Sequence, residues 1–282
     1  MRTPDLTLLH APSVYDFRQE SILYGPVSDM VPSTPVFEMY PVGFTTMAEY
    51  LERHGLRARI VNLAIRMLDN KQFDVEKYIK KLDSLAYGFD LHWMVHAHGS
   101  IEIAKLVKRF HPEAPVIFGG FSATYYFDEL IRYPAVDFVL KGDTTEVPLL
   151  MLIQYLRNGG ISHPTALSAA NKELSAIPNL VWKDADGTVH DNPISYSPDN
   201  IDDLLMDYSN VLRSVVRYRD FASYKPFRTW MKYPITAALT VRGCTHNCLT
   251  CGGSAIAFRN IHNRTSPAYR SPERLAQDIR RI

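Results

Sequence analysis

Five short apolar runs, each followed by an amphipathic stretch, constrain this chain more than any other feature. They fall at residues 6–9, 58–63, 84–89, 116–118 and 136–140. Helical periodicity lies between and after them, over residues 43–54 (closed by Gly55), 75–82, 100–110, about 128–133, and from Thr144 or Thr145 to about 156, before Asn158-Gly159-Gly160. Strand alternating with helix is the pattern of β-α units around a parallel sheet. Such crossovers are right-handed, so the reading predicts a doubly wound α/β domain of about five strands over residues 1–160, with its ligand crevice at the strands' carboxyl ends. Two features bear on that crevice. The loop after the first strand, with Pro12, Pro26, Pro32, Pro35 and Pro41, far exceeds the roughly 2–6 residues usual for such a connection, so it is functional or mobile. The fourth strand, Val116-Ile117-Phe118, runs straight into Gly119-Gly120, where backbone must turn sharply or come close to something.

The texture then changes. Residues 161–230 read as a connector with one hairpin, its strands near 180–182 and 188–190 flanking Asp184-Ala185-Asp186-Gly187. That acidic tetrad lacks the later carboxylate of a calcium loop, so a tight turn accounts for it better. The apolar run 235–241 reads as a new strand, the chain's three cysteines follow it, and Pro272-Glu273 opens a last helix that reaches Ile282. One strand, a loop and one helix cannot bury a core, so residues 231–282 are expected to be the truncated start of a further domain in a longer protein.

Charge and composition exclude more than they assign. With a net charge of +1, nothing points to nucleic acid or an acidic membrane surface. No stretch has the length of a membrane span, and the first residues lack a signal-peptide core, so a cytoplasmic protein with no membrane partner is expected. Cys244, Cys248 and Cys251 lie within eight positions, which suits a metal or redox site and not a disulfide framework.

An iron–sulfur cube normally takes four cysteines, and three leave one iron open for a molecule that must accept an electron at close range. The run Arg242-Gly243-Cys244-Thr245-His246-Asn247-Cys248-Leu249-Thr250-Cys251 resembles the Cys-x3-Cys-x2-Cys signature of the radical S-adenosylmethionine superfamily. That resemblance implies a [4Fe-4S] cluster held by Cys244, Cys248 and Cys251, with S-adenosylmethionine on the open iron. It also implies that this loop follows the first strand of a partial TIM-type (β/α) barrel. Thr250 departs from the aromatic residue many members carry before the third cysteine. The competing reading is zinc, from the three sulfurs and His246.

The preceding domain resembles the B12-binding domain of the cobalamin-dependent radical S-adenosylmethionine family, a Rossmann-like, flavodoxin-type fold. The matching residues are Pro41-Val42-Gly43, Gly119-Gly120-Phe121-Ser122-Ala123-Thr124 and Gly142-Asp143-Thr144-Thr145-Glu146. The resemblance implies cobalamin contacts at Gly43, Gly119, Gly120, Thr124 and Gly142. The Asp-x-His-x-x-Gly motif that supplies a cobalt-binding histidine after the first strand of many corrinoid domains is not found. Asp90-Leu91-His92 follows the third strand and lacks the glycine, so His92 is not assigned to cobalt, and His92, His96 and His98 read as polar loop histidines.

The function so implied is that of a radical enzyme with an associated cobalamin, transferring a methyl group or doing other radical chemistry at an unactivated carbon of a small-molecule or peptide substrate. An electron donor such as flavodoxin or ferredoxin would serve it. This stretch alone is expected to be inactive, and no general acid or base is assigned. Two alternatives stay open: a cyclase, ring-contraction or thiolation enzyme of the same cofactors, and a non-catalytic corrinoid- or zinc-binding module.

Overall fold

The computed structural model describes residues 3–19, 37–159, 168–184, 186–223 and 225–281. Most of the proline-rich stretch after the first strand lies outside them. The five expected strands are β1 Leu6–His10, β2 Ala58–Asn62, β3 Ala86–Asp90, β4 Val116–Gly119 and β5 Phe138–Leu140. They are parallel in the order β2-β1-β3-β4-β5, the doubly wound order of the flavodoxin type.

Helices α1 Val42–Arg53, α2 Leu63–Asp69, α3 Val75–Lys81, α4 Ala97–Phe110, α5 Phe121–Tyr125, α6 Phe127–Leu130 and α7 Glu146–Arg157 intervene. Both sheet faces are covered, which is why the strands are continuously apolar instead of alternating. Leu6 and Leu8 of β1 face one core, with Phe44 and Leu51 of α1 and Ile153 of α7. Leu9 faces the other, with Ile79 of α3 and Ile103 and Val107 of α4.

Some boundaries differ from those read in the sequence, each for a local reason. The second strand stops at Asn62, because its side chain accepts the Ile65 N–H and caps α2, a helix hidden within an apolar run. The expected helix at 128–133 begins earlier, as α5 and α6. Thr145 stands at the N-cap of α7 without a side-chain cap bond, and the Glu146 carboxylate accepts the Thr145 N–H instead.

The hairpin is present as β6 Leu180–Lys183 and β7 Val189–Asp191, but it does not stand apart in a connector. β6 pairs antiparallel with β5, Phe138 opposite Trp182, so the described residues form one sheet of seven strands. Helix α8, Ser168–Ser175, precedes the hairpin, and α9, Ser209–Tyr218, follows it. Asp220, just past α9, ties that region to the sheet domain through Arg59 and Arg66.

The expected strand at 235–241 is the largest difference. Only β8 Val241–Arg242 forms, antiparallel to β9 Ala268–Tyr269, and Ile235 is 66% exposed. A parallel strand needs neighbours to complete its hydrogen bonds. No strand flanks residues 235–239 among the described residues, and Thr240 only accepts the Arg270 N–H at 2.9 Å beside β9. Beyond β8 come α10 Ala255–His262 and α11 Pro272–Ile279, each capped by a serine, Ser254 and Ser271.

Candidate corrinoid pocket and cysteine loop

A cavity of about 450 Å³ opens at the carboxyl ends of β1, β3, β4 and β5. Its floor is apolar, from Leu8, Ile117, Leu140 and Leu149, and its rim is rich in glycine. Gly43, Gly119, Gly120 and Gly142 all line it, so four of the five residues read as cofactor contacts converge on one space. They do so for different reasons. A Cβ on Gly43 would meet no protein atom within 4 Å, and one on Gly119 only the Leu140 carbonyl at 3.8 Å. Gly120 has φ +110°, and a Cβ there would lie 2.7 Å from the His92 nitrogen, so the fold itself demands glycine.

Thr124 does not line the cavity. Its hydroxyl donates to the Gly120 carbonyl at 2.9 Å and accepts the Gly142 N–H at 3.0 Å, binding the two glycine loops to each other. The family resemblance implied contact, whereas its buried side chain works from behind the glycines.

The roof comes from the chain that leads to the cysteines: Leu239, Val241, Arg242 and Gly243, with Phe258 of α10. Arg242 is the anchor. Its guanidinium donates to both Glu146 oxygens, at 2.7 and 3.0 Å, and the Thr46 hydroxyl donates to Glu146 at 2.8 Å. Burial alone would raise the Glu146 pKa, but the Arg242 charge and hydrogen bonds outweigh it, and the carboxyl is held below its usual range. Arg264 makes a second clasp on the same loop, reaching both Asp143 oxygens, the Thr144 hydroxyl at 3.2 Å and the Pro198 carbonyl at 2.9 Å. Its side chain is 1% exposed and that of Asp143 2%. Phe121 of α5 packs edge-on against Phe258, ring centroids 5.8 Å apart. Sequence reasoning placed Asp143 to Glu146 around the cofactor. Gly142, Asp143 and Thr145 do reach the cavity, while Glu146 is spent on Arg242, a pairing across 96 positions that no local signal discloses.

The cysteine loop follows directly. Cys248 and Cys251 are exposed and Cys244 half-buried, and the Cys244 sulfur accepts the His246 N–H at 3.3 Å. The turn is tied by Cys251 N–H to the Cys248 carbonyl at 3.2 Å and by Ala255 N–H to the His246 carbonyl at 2.8 Å. Among the described residues no three or more histidine, cysteine or carboxylate side chains are drawn into a metal-holding group, so the three thiols share a loop but do not converge in it. Three soft thiolates on one loop nonetheless match the donor chemistry of an iron–sulfur cluster.

Three histidines gather beneath the cavity. His10, at the end of β1, is fully buried, its Nδ1 3.0 Å from Asp90 at the end of β3 and its Nε2 2.9 Å from the Phe37 carbonyl oxygen. Burial lowers its pKa, but Asp90 and the Phe37 carbonyl more than compensate, so His10 titrates above an ordinary histidine. Burial likewise opposes the Asp90 charge, and His10 and His92 overcome it, holding that carboxyl far below the usual range. His96 has no carboxylate partner, only the Ala11 carbonyl oxygen at 3.3 Å. Burial and the His10 charge push its pKa down to about 3. His96 is therefore a buried neutral side chain and not the polar loop residue that sequence suggested.

An α/β domain with glycine-lined strand ends is thus joined through two arginine clasps to a three-cysteine loop. Comparison with known proteins bears on both parts. Residues 30–162 match the family model described as the B12 binding domain. Hopanoid C-3 methylase of Methylococcus capsulatus is 25% identical over 255 residues, covering 88% of this chain and 42% of that protein. The radical S-adenosylmethionine methyltransferase TsrM of Kitasatospora setae, solved with tryptophan substrate and aza-SAM, superposes with a TM-score of 0.61 at 16% identity, over 97% of this chain and 44% of that one. A second TsrM structure, with cobalamin and a [4Fe-4S] cluster, gives 0.59 at 16% identity, over 98% and 45%. At that identity the likeness to TsrM is one of fold. Residues 30–162 thus match a B12 binding domain, and the chain spans less than half the length of these relatives.

Proposed function

We propose that this chain is part of a cobalamin-dependent radical S-adenosylmethionine enzyme that transfers a methyl group, or does other radical chemistry, at an unactivated carbon of a small molecule. The observation that carries this reading is the cavity roofed by the residues that run into Cys244, which supports a corrinoid site beside a cluster site. The family resemblance and the names of the relatives agree with it: one is a methylase, and the other holds cobalamin, a [4Fe-4S] cluster and a SAM analogue.

In such an enzyme the cofactors supply a carbon-centred radical and a transferable methyl group. The chain's own residues do the positioning. Cys244, Cys248 and Cys251 would hold three irons. Gly43 and Gly119, where no side chain fills the space, would let a flat macrocycle lie against backbone, and Gly120 and Gly142 keep the loops beneath it open. Leu8, Ile117 and Leu140 exclude water from its apolar face. Arg242 and Arg264 fix the distance between pocket and loop. The sheet's continuation to Asp191 supports a corrinoid unit that reaches past residue 160, with the cluster unit starting near 231. A small electron-transfer protein would reduce the cluster. No helix among the described residues is long and apolar enough to cross a membrane, which fits a cytoplasmic enzyme.

Anaerobic reconstitution with iron and sulfide, followed by reduction and electron paramagnetic resonance, tests the reading. A cubane signal that changes when S-adenosylmethionine is added is expected. Stable zinc in place of iron, or a cluster indifferent to S-adenosylmethionine in the full-length protein, would refute it.

A further inference from the structure

The buried chain His10, Asp90, His92 has no part in the function just proposed. Asp90 is 4% exposed and takes the Nδ1 of His10 at 3.0 Å and the Nδ1 of His92 at 2.8 Å. His10 presents its Nε2 to the Phe37 carbonyl oxygen, which can only accept. Both His10 nitrogens therefore donate, and the His10 cation balances the Asp90 charge. Asp90 in turn needs only an N–H from His92. That places the His92 proton on Nδ1 and its lone pair on Nε2, as carboxylates do for metal-binding histidines.

Asp90 and His92 both line the cavity, and His92 is the more accessible, with 24% of its side chain exposed against 4% and the Trp93 and His96 rings at 5.5 and 5.1 Å. With Nδ1 held by buried Asp90, Nε2 is the ring nitrogen left to meet a ligand. A single oriented imidazole cannot hold a bare metal ion, which needs several protein donors, and no such set exists among the described residues. One nitrogen is enough for a metal that brings its equatorial ligands with it.

Resting on the reading of this cavity as a corrinoid pocket, we infer that His92 is the axial nitrogen donor to the corrin's cobalt, with Asp90 fixing its tautomer and His10 neutralising Asp90. The sequence argued against this because Asp90-Leu91-His92 follows β3 and not β1 and lacks the motif's glycine. The sheet removes the first objection, since β1 and β3 are neighbours at the point where strand order reverses, and both end at this crevice.

The test uses the intact chain loaded with cob(II)alamin, prepared once with ordinary histidine and once with ring-15N histidine, and read by electron paramagnetic resonance. An axial 14N splits each cobalt line into a triplet and an axial 15N into a doublet. Triplets that become doublets on histidine labelling are expected, and they should vanish in His92→Asn while cobalamin stays bound. Labelling alters no side chain, so misfolding cannot confound the first result. Triplets unchanged by the label mean that the cofactor's own base is the ligand, and unsplit lines mean that no nitrogen is; either overturns the inference and leaves the corrinoid pocket standing. Doublets that persist in His92→Asn would also overturn it, by assigning the ligand to another histidine. Failure of the unaltered chain to retain cobalamin on gel filtration would sink the pocket and the ligand together.

Discussion

Replacing Arg242 by Met would leave Glu146 ionised with its side chain wholly enclosed, 0% exposed, and with only the Thr46 hydroxyl and the Thr145 N–H to satisfy it. Charge centres about 4 Å apart attract by about 4 kcal/mol at an effective dielectric of about 20. Removing one member of a buried pair typically costs about 3–5 kcal/mol, because the remaining charge stays desolvated. At a urea dependence of about 2–3 kcal/mol per molar, the midpoint should fall by about 1–2 M, followed through the fluorescence of buried Trp182. The loss is capped by the docking energy of the segment that bears Arg242, so early proteolytic cleavage around residues 239–250 should accompany it. The sign of its pH dependence is distinctive. In the unaltered chain the Glu146 pKa is depressed, so its contribution is present above the ordinary carboxylate range and fades as pH falls through the lowered value. Without Arg242, burial dominates and the pKa rises. The penalty is then largest near neutrality and shrinks in acid as Glu146 takes a proton. A midpoint shift below about 0.3 M, or one that does not vary with pH, would show that Arg242 and Glu146 are not a desolvated pair and that the roof is held by other contacts.

Two glycine substitutions should separate fold from ligand. Gly120→Ala puts a methyl group into the His92 backbone at a φ that side chains avoid, and should cost about 3 kcal/mol or more, read as a lowered Tm. Gly43→Ala meets no protein atom, so Tm should hold while cobalamin affinity falls about 5- to 150-fold, the equivalent of about 1–3 kcal/mol of overpacking; unchanged affinity would remove Gly43 from the site. Cys248→Ala should abolish cluster assembly, measured as iron and sulfide content, and leave corrinoid binding intact. If both were lost together, the division into two units would be wrong. His96 titrates near 3 in the folded chain against about 6.5 unfolded, so stability should be full above pH 6.5 and fall as pH drops toward 3. His96→Asn should flatten that acid limb in urea titrations, and an unchanged slope would show that His96 is not buried and neutral.

Sequence alone was enough for the fold class, because short strands alternate with helices and runs such as Val116-Ile117-Phe118 are apolar without alternation, as in a parallel sheet covered on both faces. It also marked the three cysteines, spaced within one loop, and Gly119-Gly120 after β4, where the φ at Gly120 needs glycine, while Gly43 and Gly142 were marked by the family resemblance. Tertiary structure decided the rest. Whether residues 235–241 become a strand depends on neighbours to bond with, and whether the 180–191 hairpin stands alone or extends the sheet depends on an open edge at β5. Asn62 ends a strand and caps a helix within an apolar run that periodicity alone cannot divide. The pairings Arg242–Glu146, Arg264–Asp143 and His10–Asp90 join residues 80 to 121 positions apart. Charge and hydrogen bonding act through space, and a sequence records only which groups are available, whereas burial decides which of them must find each other.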